Sequence, residues 1–100
     1  MSAYLIANYK ITNPEAYEAY VAVVGPTLQE YGGMPLVADY KSEVIEGSPS
    51  SVSIVLSFPS KEAAHTWYNS PEYQAIIHHR IDNTEGFVVF ADEFSPPNAD

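Results

Sequence analysis

The chain contains no cysteine, which excludes disulfides, thiolate nucleophiles and cysteine-ligated metals. Positive charge is almost as scarce. Lys10, Lys41, Lys61 and Arg80 stand against 13 acidic residues, leaving a formal net charge of −9 over 100 residues. Nucleic-acid binding and attraction to anionic lipid both depend on basic side chains, so neither a nucleic-acid nor a membrane partner is expected. No apolar run approaches the length that spans a bilayer. The opening Met-Ser-Ala-Tyr-Leu-Ile has no basic stretch and no cleavage site, and reads as the start of a strand. A cytoplasmic protein is expected. Nucleophile elbows and phosphate-cradling glycine loops are missing as well.

Aromatic residues, by contrast, are plentiful. They make up 13% of the chain, and eight of them are tyrosine. Tyrosine suits positions where the ring is dry and the hydroxyl finds a partner. The length allows a single domain, residues 1–94, followed by a disordered tail over 95–100 that contains Pro96-Pro97.

Periodicity sets the order of elements. Residues 3–11 alternate, with Leu5, Ala7, Tyr9 and Ile11 on one side and Tyr4, Ile6, Asn8 and Lys10 on the other. Both sets are largely apolar, as in a central strand covered on two faces. Asn13-Pro14 then starts a helix whose larger apolar residues, Tyr17, Tyr20, Val21, Val24, Leu28 and Tyr31, share one face. Pro26 should kink it near Gly25, and Gly32-Gly33 should end it. A polar strand is predicted over 34–46, with Asp39, Lys41, Glu43 and Glu46 outward, then a turn at 47–50. Val52–Phe58 is a buried strand. Ser60 caps a second helix with Ala63, Ala64, Trp67 and Tyr68 inward.

That helix meets Asn69-Ser70-Pro71-Glu72, where Ser70 can cap and Pro71 can restart a helix carrying Tyr73, Ile76, Ile77 and Arg80. Residues 86–91 form the last strand. The order βαββαβ predicts a ferredoxin-like α+β fold, a four-stranded antiparallel sheet with two helices on one face. Its second face is also apolar, which predicts a homodimer packed sheet to sheet.

The opening Tyr-x-Ile-Ala strand, the Asn-Pro-Glu-x-Tyr-x-x-Tyr helix ending in Tyr-Gly-Gly, and Phe58-Pro59-Ser60 leading to Trp67–Gln74 carry a family resemblance. The chain resembles domain-of-unknown-function family thirteen-thirty, in the dimeric α/β-barrel superfamily, over roughly residues 3–93. The resemblance implies the fold and the dimer and assigns no activity. Superfamily relatives include cofactor-free quinone-forming monooxygenases, haem-degrading monooxygenases, polyketide cyclases and chlorite dismutase-like enzymes, so shape constrains function little.

Several residues could carry chemistry. Tyr17, Tyr20, Trp67, Tyr68 and Tyr73 either surround a pocket between helices and sheet or simply pack the core. Asn8 interrupts an apolar strand, where its amide either orients a carbonyl or oxygen species or is satisfied by neighbouring hydroxyls. His79 or His78 could act as general base, or merely suit a helix C-terminus. Arg80 could clamp a ligand carboxylate, or pair with Glu72, Asp82 or an acid of a partner chain.

Asn8, Trp67 and a helix histidine are similar to the trio of the haem-degrading relatives, but Ile77 or its neighbour stands at the matching histidine spacing. No metal site is predicted, because adjacent His78 and His79 cannot converge on one ion. No organic cofactor is required. The leading expectation is a homodimer that binds or transforms an apolar or aromatic small molecule. The alternatives are a non-enzymatic metabolite- or protein-binding dimer and a cofactor-free or haem-degrading monooxygenase.

Overall fold

A computed structural model describes residues 1–97. Strand β1 (Ala3–Ile11) leads through helix α1 (Pro14–Glu30) to β2 (Met34–Asp39), then β3 (Val52–Phe58). Helix α2 (Lys61–Tyr68) and two single-turn helices, α3 (Pro71–Gln74) and α4 (His78–Ile81), precede β4 (Thr84–Asp92). The sheet order is β2-β3-β1-β4 with every neighbouring pair antiparallel. This is the predicted ferredoxin-like arrangement, only 16 Å through its thinnest direction.

The predicted caps form. The Asn13 side chain accepts the Ala16 N–H at 3.3 Å, Ser60 accepts from Ala63 at 3.0 Å and Ser70 from Tyr73 at 3.2 Å. Helix α1 continues through Pro26 and ends at Gly32, whose φ of 78° lets the Gly33 N–H reach the Leu28 carbonyl at 2.8 Å.

Two expectations are corrected. The second strand is six residues long and stops at Asp39, because the Asp39 carboxylate accepts the Lys41 N–H at 2.8 Å and turns the chain. Glu43 and Glu46 therefore lie in a long loop rather than on a strand. The restarted helix is also not continuous. Hydrogen bonds to the residue three back, Ile76 to Tyr73 and His79 to Ile76, tighten it into separate turns. Of the expected tail, residues 95–97 are exposed and without strand or helix, and 98–100 lie outside the described residues.

Cross-strand pairing fixes the two faces. Ala3, Leu5, Ala7 and Tyr9 pair with Phe58, Leu56, Ile54 and Val52 under the helices and are buried. On the other face Ile6, Phe87 and Val89 remain 37%, 54% and 46% exposed. No helix of the described residues is long and apolar enough to cross a membrane.

The helices sit unequally on the sheet. The backbone of α2 lies close to β1, β3 and β4, whereas that of α1 comes closer to α3 and α4 than to any strand. Space opens beneath α1.

Candidate functional site

That space is a cavity of about 220 Å³ bounded by α1, the sheet and the end of β2. Leu5, Leu28, Ile54, Leu56 and Val88 supply apolar wall. The polar groups come from Tyr9, Tyr17, Tyr20, Tyr40, Tyr73 and Arg80. Small residues on the strands, Ala7 and Ala38, keep the floor low.

The hydroxyls are organised in pairs. Tyr9 and Tyr17 share a hydrogen bond at 2.6 Å, and Tyr20 and Tyr73 share one at 2.8 Å. The Arg80 Nε–H donates to the Tyr73 oxygen at 3.3 Å. Burial pushes the phenols of Tyr17 and Tyr20 well above their ordinary range and raises that of Tyr9. The hydrogen bond and charge of Tyr9 add to the shift of Tyr17, and those of Tyr73 to the shift of Tyr20. They are neutral donors and acceptors at any physiological pH.

Burial works against the Arg80 charge, but the phenolic oxygens of Tyr73, Tyr20 and Tyr68 more than offset it and raise its pKa. Arg80 is a fixed cation, and only 8% of its surface is exposed. It also lines a second cavity of about 240 Å³ beside β4, together with Tyr68, Thr84 and Gly86.

The cavity brings together Tyr17, Tyr20, Tyr73 and Arg80 among the residues singled out from sequence. Tyr68 faces the second cavity only. Trp67 lines neither. Fully buried, it stacks on Tyr73 at 3.9 Å and Phe58 at 5.4 Å, and its indole N–H donates to Thr27 at 3.1 Å. It supports the wall from behind.

Asn8 does not reach the cavity either. Alternation along β1 sends it to the opposite face from Ala7 and Tyr9, where it pairs with Ser53 and Phe87. There its amide donates to the carbonyls of Ser50 at 2.9 Å and Val52 at 3.1 Å, and accepts the Ser50 N–H at 2.9 Å. With Ser42 bonded to Ser53 at 2.6 Å, this fastens the β2–β3 loop to the sheet.

His78 is exposed, and the rings of His78 and His79 lie 4.0 Å apart, outside both cavities. The α4 turn puts Arg80, not its histidine neighbours, on the inner side. Asn8, Trp67 and the histidines thus occupy three separate environments and form no haem cradle. Among the described residues no three His, Cys, Asp or Glu side chains group as a metal site.

Two polar lining residues, Tyr9 and Tyr40, went unrecognised as site residues in the sequence. Tyr9 was legible, since it alternates with Leu5 and Ala7 onto the helix face. Tyr40 gave no signal, because its place depends on the strand ending one residue earlier.

A low-lying sheet, an offset helix and a half-open phenol-rich cavity define a ferredoxin-like small-domain protein with a monomer cavity. The chain belongs to the family described as Domain of unknown function (DUF1330), whose model matches residues 2–94. Among solved structures it is similar to a protein of unknown function from Rhodopseudomonas palustris, with TM-score 0.77 and 16% identity over 95% of this chain and 84% of that one. It is also similar to SnoaB, a cofactor-independent oxygenase from Streptomyces nogalater, with TM-score 0.64 and 8% identity over 97% and 98%. A NIPSNAP domain protein from Burkholderia xenovorans gives TM-score 0.62 and 15% identity over 96% and 97%. At these identities the likeness shows the fold alone. Among curated proteins none matches the sequence.

Proposed function

We propose that this chain is a homodimer in which each subunit binds a flat, mostly apolar small molecule in the cavity beneath α1. One observation carries the reading: α1 stands off the sheet, and the gap is walled by apolar side chains with polar groups supplied by phenols and Arg80. Concave apolar sites with a few convergent polar groups are where small ligands bind. Tyr17, Tyr20 and Tyr73 form its aromatic wall.

The dimer reading is supported by Ile6, Phe87 and Val89, an apolar patch on the uncovered sheet face. The residues lining the cavity include no carboxylate, imidazole or amine. The site therefore supplies orientation and stabilisation of negative charge, and His78 and His79 serve no ligand there as base.

Native mass spectrometry of protein purified without refolding tests this reading. The expected result is a dimer retaining up to one small molecule per subunit. Ala7→Phe, which projects a ring into the cavity, should abolish retention while leaving the dimer. Retention unchanged by Ala7→Phe would move the site elsewhere, and a monomer at micromolar concentration would remove the dimer.

A further inference from the structure

We infer that the molecule taken by this cavity is an apolar acid, held as its carboxylate by Arg80. The inference rests on the cavity being a ligand site and adds the chemical class of the ligand. Its starting point is a buried cation without an anion. Among the described residues the only ion pair joins Lys61 to Asp92 at 3.4 Å, on the surface. Glu72 accepts instead from the Tyr31 hydroxyl at 3.0 Å, and Asp82 is exposed without pairing to Arg80. The one side-chain hydrogen bond that Arg80 makes uses Nε.

A guanidinium carries five N–H donors, so most of its capacity is unused. No fully buried polar side-chain atom among the described residues lacks a partner. The terminal Nη groups, which bond to nothing, are therefore not sealed off, and Arg80 borders both cavities. The phenols around Arg80 are neutral and supply dipoles but no counter-charge, which a carboxylate arriving with the ligand would provide.

The phenols point the same way. Each hydroxyl pair consumes one proton, whichever oxygen donates, and leaves the other phenolic O–H uncommitted within the pair. The polar side of the cavity is thus rich in donors and holds no anionic acceptor. A planar carboxylate can take two parallel N–H bonds from the Nη edge and a further bond from a phenol.

The hydrocarbon part meets Leu5, Val24, Ile54, Leu56 and Val88. The volume lies below the roughly 300 Å³ at which pockets for drug-sized ligands begin, which fits one or two rings or a short chain. The acidic surface repels anions at long range, and Lys10, Lys41 and Lys61 are all exposed. Selection for the acid is local to Arg80.

Calorimetric titration of the full chain with benzoate, 2-naphthoate and octanoate, each against its primary amide, tests the inference. At least one acid should bind about ten-fold or more tighter than its amide, the margin expected between charge-assisted and neutral hydrogen bonds. Arg80→Met should erase the margin and Arg80→Lys should keep part of it, with circular dichroism verifying the fold of each variant. Binding should survive 0.5 M salt, since a buried pair is screened far less than a surface one. If the Arg80 variants do not fold, the acid–amide comparison in the unaltered protein decides alone.

Amides that match their acids, acid binding unaffected by Arg80→Met, or binding lost in salt would each overturn the carboxylate assignment and leave the cavity as a ligand site. If no acid and no amide of the panel binds at millimolar concentration, the cavity reading fails with it.

Discussion

Trp67 and Tyr20 are both buried aromatic residues on helices above the same sheet, yet only Tyr20 borders empty space. In the half built by β3, α2–α4 and β4, Trp67 is closed in by Phe58 and Tyr73, and α2 lies directly on the strands. In the half built by β1, α1 and β2, Tyr17 and Tyr20 meet other tyrosine hydroxyls across a gap floored by Ala7 and Ala38. Ring spacing along a helix is the same kind of pattern in both. What separates packing from pocket is the size of the residue opposite and the distance of the helix from the sheet.

The largest expected contrast comes from removing the two rings' key groups. Trp67→Ala empties a fully packed site and should cost about 3–5 kcal/mol in chemical denaturation. Tyr20→Phe removes one hydroxyl of a pair and should cost only about 1 kcal/mol. Equal losses would erase the distinction between the halves.

Alkali should strike the hollow half. The phenols of Tyr9, Tyr17 and Tyr20 have folded-state pKa values above the ordinary 10.0. Their contribution is intact below pH 10 and is lost as pH rises above it, because the unfolded chain ionises first. Stability should fall by up to about 1.4 kcal/mol per pH unit for each phenol that stays protonated. A melting temperature flat from pH 9 to 11 would show these phenols to be freely hydrated.

Adding volume gives a smaller and opposite pair of effects. Ala64→Leu forces methyl groups into the packed layer around Trp67, where Ala64 is fully buried, and should destabilise by about 1–3 kcal/mol. Ala7→Leu extends into the cavity and should be neutral or stabilising by up to about 1 kcal/mol. Matched thermal melts read the difference directly.

Asn8→Ala should cost at most about 1 kcal/mol, through the Ser50 backbone groups it holds, and should leave the cavity unchanged. Because Asn8 lies across the sheet from the cavity, ligand affinity should change only as far as the loop beginning at Tyr40 loosens. A complete loss of binding with unchanged stability would place Asn8 in contact with ligand after all.

Much of this was readable in the chain. The alternation of Leu5, Ala7 and Tyr9, the caps at Asn13, Ser60 and Ser70, and the stop at Gly32 each depend on neighbours within a few residues. The end of β2 was not, because a single Asp39 side-chain bond competes with strand pairing there. Asn8 drew attention for a sound reason, a polar amide in an apolar strand, but its partners come from residues 50–53 and from a loop whose path was not legible. The sequence leaves open which of His78, His79 and Arg80 turns inward for a similar reason, since adjacent helical residues diverge and the phase of the turn is set by distant packing.

The sequence by itself determined the order of strands and helices, the two-faced sheet and the single arginine, since each follows from local periodicity, capping and charge count. The tertiary structure alone decided that α1 stands away from the sheet, that Tyr40 joins the wall and that neither Glu72 nor Asp82 reaches Arg80. Those are distances between elements far apart in the chain, set by how side chains of unequal size close against one another, and no local pattern encodes them.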